Sequence, residues 1–419
     1  MSTAWRTLSA ATLTLAVAGA AMLTSASPAG AHANPEAQPE VVVKVDVAGG
    51  HTIEEVNATF ATETDSAVLA SRGIYLVRST DPRYSGEANK ADELADHMAK
   101  SPAVIYAEPN VVEDIADNRF HAWPTGAPDD AGTDPAVWAD QPATAQLQLD
   151  AAHAQSQGAG VTVAVLDTGV DPDHPALAGR LLPTWDYVDD DDDARDVAEG
   201  VDDDGDGQID EAFGHGTFVS GVVALVAPEA TILPARVLNS DGRGHVFVVA
   251  EAILDAADAG ADVINLSFGT AQKLRSHLLD DAIREAQHQG VVVVAAAGND
   301  GSDADRWPAA NPEVVGVSAL AEDATGMAGF ANSGGSVDVA APGEHVAGPV
   351  PGGRYAWWSG TSVATPFVAG QVALIRAHAP GAEAKTIAEA VTHTTTKLHP
   401  KDQPEARAIN IVASLTFLD

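Results

Sequence analysis

Residues 161–167, which read VTVAVLD, form an unbroken apolar run that ends on an acidic residue. Similar apolar runs follow along the chain and alternate with stretches of helical periodicity. The predicted strands are 161–167, 231–237, 263–267, 291–297 and 314–319, and the predicted helices are 214–226, 246–260 and 278–290. Continuously apolar strands separated by helices are typical of a parallel sheet that is buried on both faces. The sequence therefore predicts an α/β fold with a parallel central sheet and helices on both faces.

Two polar residues lie at the carboxyl ends of these strands. Asp167 closes the first strand, and Asn299 follows the run 291–297. Open α/β sheets form their sites at the carboxyl ends of strands. We therefore expect catalytic chemistry at this edge of the sheet.

A smaller α+β domain is predicted ahead of the sheet. Its predicted elements are strands at 41–47, 73–79 and 104–107 and a helix at 89–100. Residues 117–140 are rich in proline, glycine and aspartate and lack periodicity. That composition predicts a linker or a mature amino-terminal arm that wraps the surface.

The amino terminus has the pattern of a signal peptide. Arg6 precedes an apolar run from Leu8 to Leu23, and a stretch of small residues follows it. A membrane anchor is the alternative interpretation, but the run is short and rich in alanine, glycine and threonine. We predict cleavage after Ala31 or Ala33 and a secreted, extracellular protein without a membrane anchor.

The composition limits the partners of this chain. Its 419 residues include 60 acidic and 22 basic residues, which give a formal net charge of -38. Such a charge repels nucleic acid and anionic membranes and makes cations natural partners. A solubilising acidic surface explains the same composition. The absence of cysteine excludes disulfides, thiolate catalysis and cysteine metal sites.

Three short segments carry the clearest chemical signal, and they are 165–171 (VLDTGVD), 214–217 (GHGT) and 359–366 (SGTSVATP). They occur in the order Asp, His, Ser and together resemble the subtilisin family of serine proteases. The resemblance is strongest from 161 to 375. It implies a serine endopeptidase whose catalytic triad is Asp167, His215 and Ser362.

The chemistry of that family requires a separate role for each member of the triad. A serine hydroxyl is a weak nucleophile at neutral pH, so His215 would accept the proton of Ser362 and return it to the leaving amine. Asp167 would hold the imidazole tautomer and stabilise the imidazolium. Ser362 precedes an apolar stretch, 363–375, that predicts a central helix. The amino terminus of a helix favours negative charge on the substrate oxygen.

Further site residues follow from the same resemblance. Asn299 would donate its amide to the oxyanion, and a turn asparagine is the alternative. Substrate would bind as an added strand between two segments, because backbone hydrogen bonds provide affinity for diverse sequences. The segments are Gly242, Arg243 and Gly244 on one side and Ser267, Phe268 and Gly269 on the other. Both could instead be plain turns.

The resemblance extends to the smaller domain. Residues 104–112, VIYAEPNVV, look like the end of the family's inhibitory propeptide, which assists folding and is removed autocatalytically. The predicted domains are a signal peptide at 1–33, an inhibitory propeptide at 34–116, a linker or mature arm at 117–150 and a catalytic domain at 151–419. The expected partners are polypeptide substrates and the chain's own propeptide, and a monomer is the expected state.

The chain departs from the family around His215. Phe218 replaces the second histidine of the usual His-Gly-Thr-His, and the helix reaches Pro228 without the asparagine-rich calcium loop of many relatives. That calcium site is predicted to be absent.

An insertion ahead of His215, DDDGDGQIDE at 202–211, suggests a different calcium site. It has carboxylates at alternate positions and a glycine at the sharp turn, as in a calcium loop. The candidate ligands are Asp202, Asp204, Asp206, Gln208 and Asp210. The twelfth position is Phe213 rather than glutamate, and a solvated acidic loop is the rival interpretation.

One residue predicts the substrate preference. When residues 307–312 are aligned with the family strand after the oxyanion asparagine, Arg306 lies at the floor of the S1 pocket. A guanidinium there favours Asp or Glu at P1. The alternatives are neutralisation by Asp303 or Asp305, or an outward rotamer that only narrows the pocket.

Two other functions stay open on the sequence alone. One is a dedicated processing protease of a secretion system, similar to the mycosins, although those carry a carboxyl-terminal membrane helix that residues 408–419 do not provide. The other is an inactive binding protein on the same fold, which the complete triad and Asn299 disfavour.

Overall fold

The computed structural model describes residues 39–66, 69–84, 90–110, 112–115, 129–183, 185–203, 205, 207–270, 275–399 and 405–418. The chain divides into two compact units, Met1–Pro109 and Asn110–Asp419. No helix within the described ranges is long and apolar enough to cross a bilayer. The signal peptide predicted at 1–33 lies outside the described residues.

In its described residues, the first unit has a four-stranded antiparallel sheet in the order β2-β3-β1-β4 and the α-helices α1 and α2. Its elements are β1 (Glu40–Val45), α1 (Ile53–Phe60), β2 (Thr62–Ser66), β3 (Ile74–Ser79), α2 (Lys90–Met98) and β4 (Val104–Pro109). The predicted strands and helix are present, whereas α1 and β2 were not predicted. Helix α1 begins where the Thr52 hydroxyl accepts the N–H of Glu55, which satisfies one backbone donor of its first turn.

The second unit contains the remaining elements. In chain order they are β5 (Val112–Ile115), β6 (Asp129–Gly132), α3 (Ala136–Ala139), α4 (Pro142–Gln146), α5 (Leu149–His153), β7 (Thr162–Asp167), β8 (Trp185–Asp186), α6 (His215–Val226), β9 (Thr231–Arg236), β10 (Arg243–His245), α7 (Val246–Asp258), β11 (Val263–Leu266), β12 (Phe268–Thr270), α8 (His277–His288), β13 (Val292–Ala296), β14 (Val315–Leu320), β15 (Val339–Pro342), β16 (Val346–Val350), β17 (Arg354–Trp358), α9 (Thr361–His378), α10 (Ala384–His393), β18 (Thr396–Leu398), β19 (Ala406–Ala408) and α11 (Ile411–Thr416).

The central sheet has nine strands in the order β18-β19-β15-β14-β13-β11-β7-β9-β8. Neighbouring strands from β19 to β8 are parallel, and β18 pairs antiparallel at the edge. The strand order reverses at β7, because the chain moves from β7 to β9 on one side and from β11 to β13 and β14 on the other. Sites in open α/β sheets form at such a reversal. Asp167, the last residue of β7, therefore lies where a site is expected.

Helices cover both faces of the sheet. Val163 and Val165 of β7 belong to the core that includes α6 and α9. Ala164 and Leu166, which alternate with these valines along β7, are buried on the opposite face, where α7 packs against β7. Helix α9 is buried along 361–375 and is the predicted central helix. The α/β fold with helices on both faces is confirmed.

Helices α6 and α9 cross closely at Gly370, and this contact predicts a loss of stability. A methyl group at Gly370 would lie 2.5 Å from Cβ of Val226. We expect Gly370→Ala to lower the free energy of unfolding by about 1–3 kcal/mol, because an overpacked core must shift. Denaturant unfolding measures the change. Gly381→Ala is the control, since nothing lies within 4 Å of a methyl there; an equal loss in both variants would contradict the close packing.

Candidate active site

Three residues from separate elements converge at the carboxyl end of β7. Asp167 ends β7, His215 opens α6, and Ser362 is the second residue of α9. Nδ1 of His215 lies 2.8 Å from Oδ1 of Asp167, and Nε2 of His215 lies 2.9 Å from Oγ of Ser362. All three side chains are buried. In this arrangement the imidazole can take the serine proton while the carboxylate fixes Nδ1 as a donor.

The backbone of β7 and α6 holds the carboxylate and the imidazole in place. Oδ1 of Asp167 also accepts the N–H of Thr168 at 2.8 Å. Helix α6 begins after Gly214, whose φ of 94° lies in the left-handed region that favours glycine. A side chain at Gly216 would overlap the carbonyl oxygen of Gly169. The first turn of α6 therefore lies directly against the end of β7.

Aromatic rings cover the imidazole. Trp358 meets the ring of His215 edge-on, with the centroids 5.2 Å apart, and Phe218 packs on Trp358 at 5.7 Å. A methyl group at Gly348 would overlap the Phe218 ring, so this glycine makes room for it. Phe218, where the chain departs from the usual family histidine, is thus a core residue that leaves the hydrogen bonds of His215 intact.

Asn299 lies beside the first turn of α9. Its Oδ1 accepts the N–H of Thr361 at 2.9 Å, and the N–H of Gly298 donates to Oγ1 of Thr361 at 3.1 Å. Because Oδ1 is engaged, the side chain is oriented with Nδ2 as its donor. Its partner Thr361 directly precedes Ser362, so the amide is held close to the candidate nucleophile.

A strand of the same chain lies between the two predicted substrate segments. Strand β5 pairs antiparallel with β10 on one edge and with β12 on the other. Gly244 is opposite Glu113, and Gly269 is opposite Asp114. An extended peptide in this position makes backbone hydrogen bonds on both edges, as expected for a bound substrate.

Most of the predicted substrate residues lie in these two flanking strands, namely Arg243 and Gly244 in β10 and Phe268 and Gly269 in β12. Gly242 lies in the turn before β10, where its N–H donates to the carbonyl of Asn239. Ser267 directly precedes β12, and its hydroxyl donates to the carbonyl oxygen of Ser362 at 2.8 Å. The end of β12 that carries Ser267 is therefore the end nearest the triad.

Arg306 lies next to β12 and forms an ion pair. The carbonyl oxygen of Trp307, the next residue in the chain, accepts the N–H of Thr270 in β12 at 2.7 Å. Arg306 also lies close to Gly298, where an added methyl group would be 3.0 Å from Cγ of Arg306. Nε of Arg306 donates to Oδ2 of Asp300 at 2.7 Å, and both side chains are less than one-fifth exposed.

The partner of Arg306 is therefore Asp300, rather than either of the two neutralising residues considered from the sequence. Oδ1 of Asp305 accepts the N–H of Ser336 at 2.9 Å instead. Nη2 of Arg306 donates to the same oxygen, so Oδ2 of Asp300 accepts two hydrogen bonds from the guanidinium. Two charge-assisted hydrogen bonds restrict the orientation of the guanidinium as well as its position.

The acidic loop ahead of His215 uses its described carboxylates as backbone acceptors. Asp202 accepts the N–H groups of Gly205 at 2.7 Å and Gly207 at 3.0 Å. Asp210 accepts the N–H groups of Glu199 and Gly200 instead. Of the predicted ligands, Asp204 and Asp206 lie outside the described residues. Within the described residues, no group of three or more acidic or histidine side chains is placed to hold a metal.

Two carboxylates near the site were not predicted from the sequence. Asp300 directly follows Asn299, so its position in the chain was a usable signal. Asp196 is only 6% exposed and receives hydrogen bonds from the hydroxyls of Thr168 and Thr217. It belongs to none of the three short segments, and no local pattern marks it.

An aspartate, a histidine and a serine in hydrogen-bonded series at the edge of a parallel sheet are the catalytic arrangement of a serine hydrolase. The chain belongs to the subtilase family, whose family model (Peptidase S8) matches residues 158–408. The confirmed class is therefore a subtilisin-like serine protease.

Known proteases resemble the chain over most of its length. It is 33% identical over 360 residues to the thermophilic serine proteinase of Bacillus sp. (strain AK1), covering 82% of this chain and 80% of that proteinase. It is 36% identical over 263 residues to thermitase of Thermoactinomyces vulgaris, covering 60% and 87%. A solved protease of Pseudoalteromonas arctica PAMC 21717 matches with a TM-score of 0.62 and 30% identity, covering 69% of this chain and 99% of the other.

Proposed function

We propose that this chain is a secreted serine endopeptidase, made as a proenzyme, that hydrolyses peptide bonds through an acyl-enzyme intermediate. The observation that carries the proposal is the hydrogen-bonded series of Ser362, His215 and Asp167, together with the extended strand β5 between β10 and β12. The space between β10 and β12 is called the cleft below. The predicted signal peptide supports export.

The first half of the reaction forms the acyl-enzyme. Nε2 of His215 takes the proton from Oγ of Ser362 as the oxygen attacks the peptide carbonyl carbon. Asp167 holds Nδ1–H and stabilises the imidazolium that forms. The imidazolium then gives its proton to the leaving amine, and the carbon–nitrogen bond breaks.

The second half releases the product. Water attacks the acyl carbon while His215 accepts its proton, and Oγ of Ser362 leaves with that proton. Both halves pass through a tetrahedral oxyanion. The Nδ2 donor of Asn299 and the amino terminus of the 18-residue helix α9 stabilise this charge.

The position of β5 supports a proenzyme. It occupies the cleft as a substrate would, and its last residue, Ile115, is opposite Phe268, one residue from Ser267. The strand thus runs toward the end of the cleft nearest the triad. The domain boundary predicted after Ala116 follows the strand by one residue, so we propose self-cleavage between Ala116 and Asp117.

Ser362→Ala is expected to abolish both peptidase activity and removal of the propeptide, because one nucleophile performs both reactions. The measurement is the mass and amino-terminal sequence of the secreted protein from a protease-free host, together with cleavage of a chromogenic peptide. Wild-type protein should begin at Asp117, and the variant should keep its propeptide.

The matched control for this experiment is Ser359→Ala. The Ser359 hydroxyl accepts the N–H of His345 at 2.9 Å and has no part in the triad. This variant should mature and cleave peptides normally. Self-processing would be refuted if Ser362→Ala protein still reached the mature mass.

The ion pair between Arg306 and Asp300 governs selection at P1 in this proposal. The guanidinium favours an acidic P1 side chain, but it already donates two hydrogen bonds to Oδ2 of Asp300. An acidic substrate must therefore compete with a charge-assisted hydrogen bond within the protein. We propose that Asp300 limits a preference for Asp and Glu that Arg306 provides.

Asp300→Asn is expected to raise the ratio of kcat/KM for Glu over Phe at P1 about tenfold, which corresponds to about 1.4 kcal/mol. Arg306→Gly should lower the same ratio. A peptide library varied at P1 gives both values. Asp303→Asn serves as the matched control and should leave the profile unchanged. If all four proteins prefer Phe equally, the charge does not act on P1.

Calcium in the acidic loop remains a structural proposal. The loop wraps around Asp202 through the N–H groups of Gly205 and Gly207, and Gly207 is at the sixth position with a φ of 94°. That is where a calcium loop requires its sharp turn. Bound calcium would supply positive charge among the loop's carboxylates.

Removal of calcium by a chelator is expected to lower the Tm by about 3–4 °C, as for an ion present at about 100 times its Kd. Asp202→Asn should have a lower Tm that the chelator does not change. Differential scanning calorimetry measures both proteins. An unchanged Tm in the wild type would identify the segment as a solvated acidic loop.

A further inference from the structure

Asp196 lies behind the triad in a fixed position. Its N–H donates to the carbonyl of Val170 at 3.1 Å, and the N–H of Val170 donates to the carbonyl of Ala194 at 3.0 Å. These bonds hold the segment around Asp196 against the chain that leaves β7. The carboxylate is nearly fully buried, so it cannot obtain hydrogen bonds from bulk water.

The carboxylate joins two hydroxyl groups. Oδ2 of Asp196 accepts from Oγ1 of Thr168 at 3.3 Å and from Oγ1 of Thr217 at 3.2 Å. Thr168 directly follows Asp167, and Thr217 lies in the first turn of α6. A hydroxyl has one hydrogen, so a hydroxyl that donates to Asp196 can only accept elsewhere.

Each hydroxyl does accept from the opposite segment. Oγ1 of Thr168, next to β7, accepts the N–H of Gly216 in α6 at 3.0 Å. Oγ1 of Thr217, in α6, accepts the N–H of Asp171 on the β7 side at 2.9 Å. Each threonine hydroxyl thus bridges the chain after β7, which carries Asp167, and the first turn of α6, which carries His215. Both hydroxyls donate their hydrogen to Asp196.

We propose that Asp196 is a positioning residue that fixes Asp167 against His215 through these two bridges. The inference rests on the triad proposed above. Without an acceptor at this buried position, both hydroxyls lose their partner and rotate to find another. They then cease to present lone pairs to the two N–H groups, and the first turn of α6 is released from the end of β7.

Asp196 also adds charge to the site. Its pKa is raised to about 7, chiefly by burial and in smaller part by the charge of Asp167, while hydrogen bonds from the Gly214 backbone and the two threonine hydroxyls oppose the rise. The charged groups around it are Asp167 at the end of β7, His215 at the start of α6, Asp171 after β7 and the neighbouring Arg195. Once ionised, Asp196 adds a second negative charge near the imidazolium of the transition state. Activity should therefore rise as Asp196 loses its proton.

The test compares two replacements of Asp196. In Asp196→Ala, kcat should fall about 100-fold with little change in KM, because a small displacement of the triad is sufficient for such a loss. Asp196→Asn keeps an oxygen acceptor and should lose only about tenfold. In Asp196→Asn, the acid limb of the plot of kcat/KM against pH should move to lower pH, because the variant lacks the negative charge that ionised Asp196 places near His215. Rates are normalised by active-site titration with a serine-directed reagent.

Two further sets of variants separate a positioning role from a structural one. Thr168→Val and Thr217→Val each remove one bridge and should each lower kcat, even if Asp196→Ala does not fold. Asp338→Asn changes another poorly exposed carboxylate, which accepts the N–H of Gly316 at 3.0 Å, and should change neither kcat nor the pH profile.

The proposal would be overturned if titrated Asp196→Ala and both valine variants kept wild-type kcat and the Asp196→Asn profile did not move. A drop in Tm alone would show a purely structural residue. Loss of activity in Ser362→Ala tests the triad separately, so a failure of this inference is distinguishable from a failure of the proposed function.

Discussion

The first turn of helix α6 lies directly against the carboxyl end of β7, and the catalytic arrangement depends on this contact. Gly216 permits it, because any side chain there would overlap the backbone of Gly169. The contact brings the imidazole within hydrogen-bond distance of Asp167. Helix α9 supplies Ser362 and packs closely on α6 at Gly370. The distances within the triad are thus set by buried packing, which varies less than the geometry of a surface loop.

The central sheet could be predicted from sequence because its strands are buried on both faces. Strands such as β7 and β13 appear as apolar runs of the right length between helical stretches. Strand β16 reads VAGPV, whose glycine and proline suggest a loop. It is a strand because β17 pairs with it and because the side chain of Gln141 bonds both the N–H and the carbonyl of Ala347. Such a distant partner leaves no local pattern.

The three residues of the candidate triad could be selected from the sequence because they lie in short segments whose order and surroundings are distinctive. The partner of Arg306 could not, because three aspartates lie within six positions of it and only the folded turn selects Asp300. Asp196 was missed for a similar reason. Its proposed role arises from threonine hydroxyls that two separate segments bring together, and a sequence records neither their approach nor the direction of their hydrogen bonds.

Strand β5 and the cleft that it occupies belong to one chain, so its binding does not depend on protein concentration. A tethered ligand has an effective concentration set by its linker, on the order of millimolar for a short flexible one. A peptide substrate must compete with that local concentration. If the chain is cut after β5, as proposed, the strand would become part of a separate molecule, and its occupancy would fall with each dilution. For the proposed proenzyme, dilution after export then determines when the cleft opens to other polypeptides.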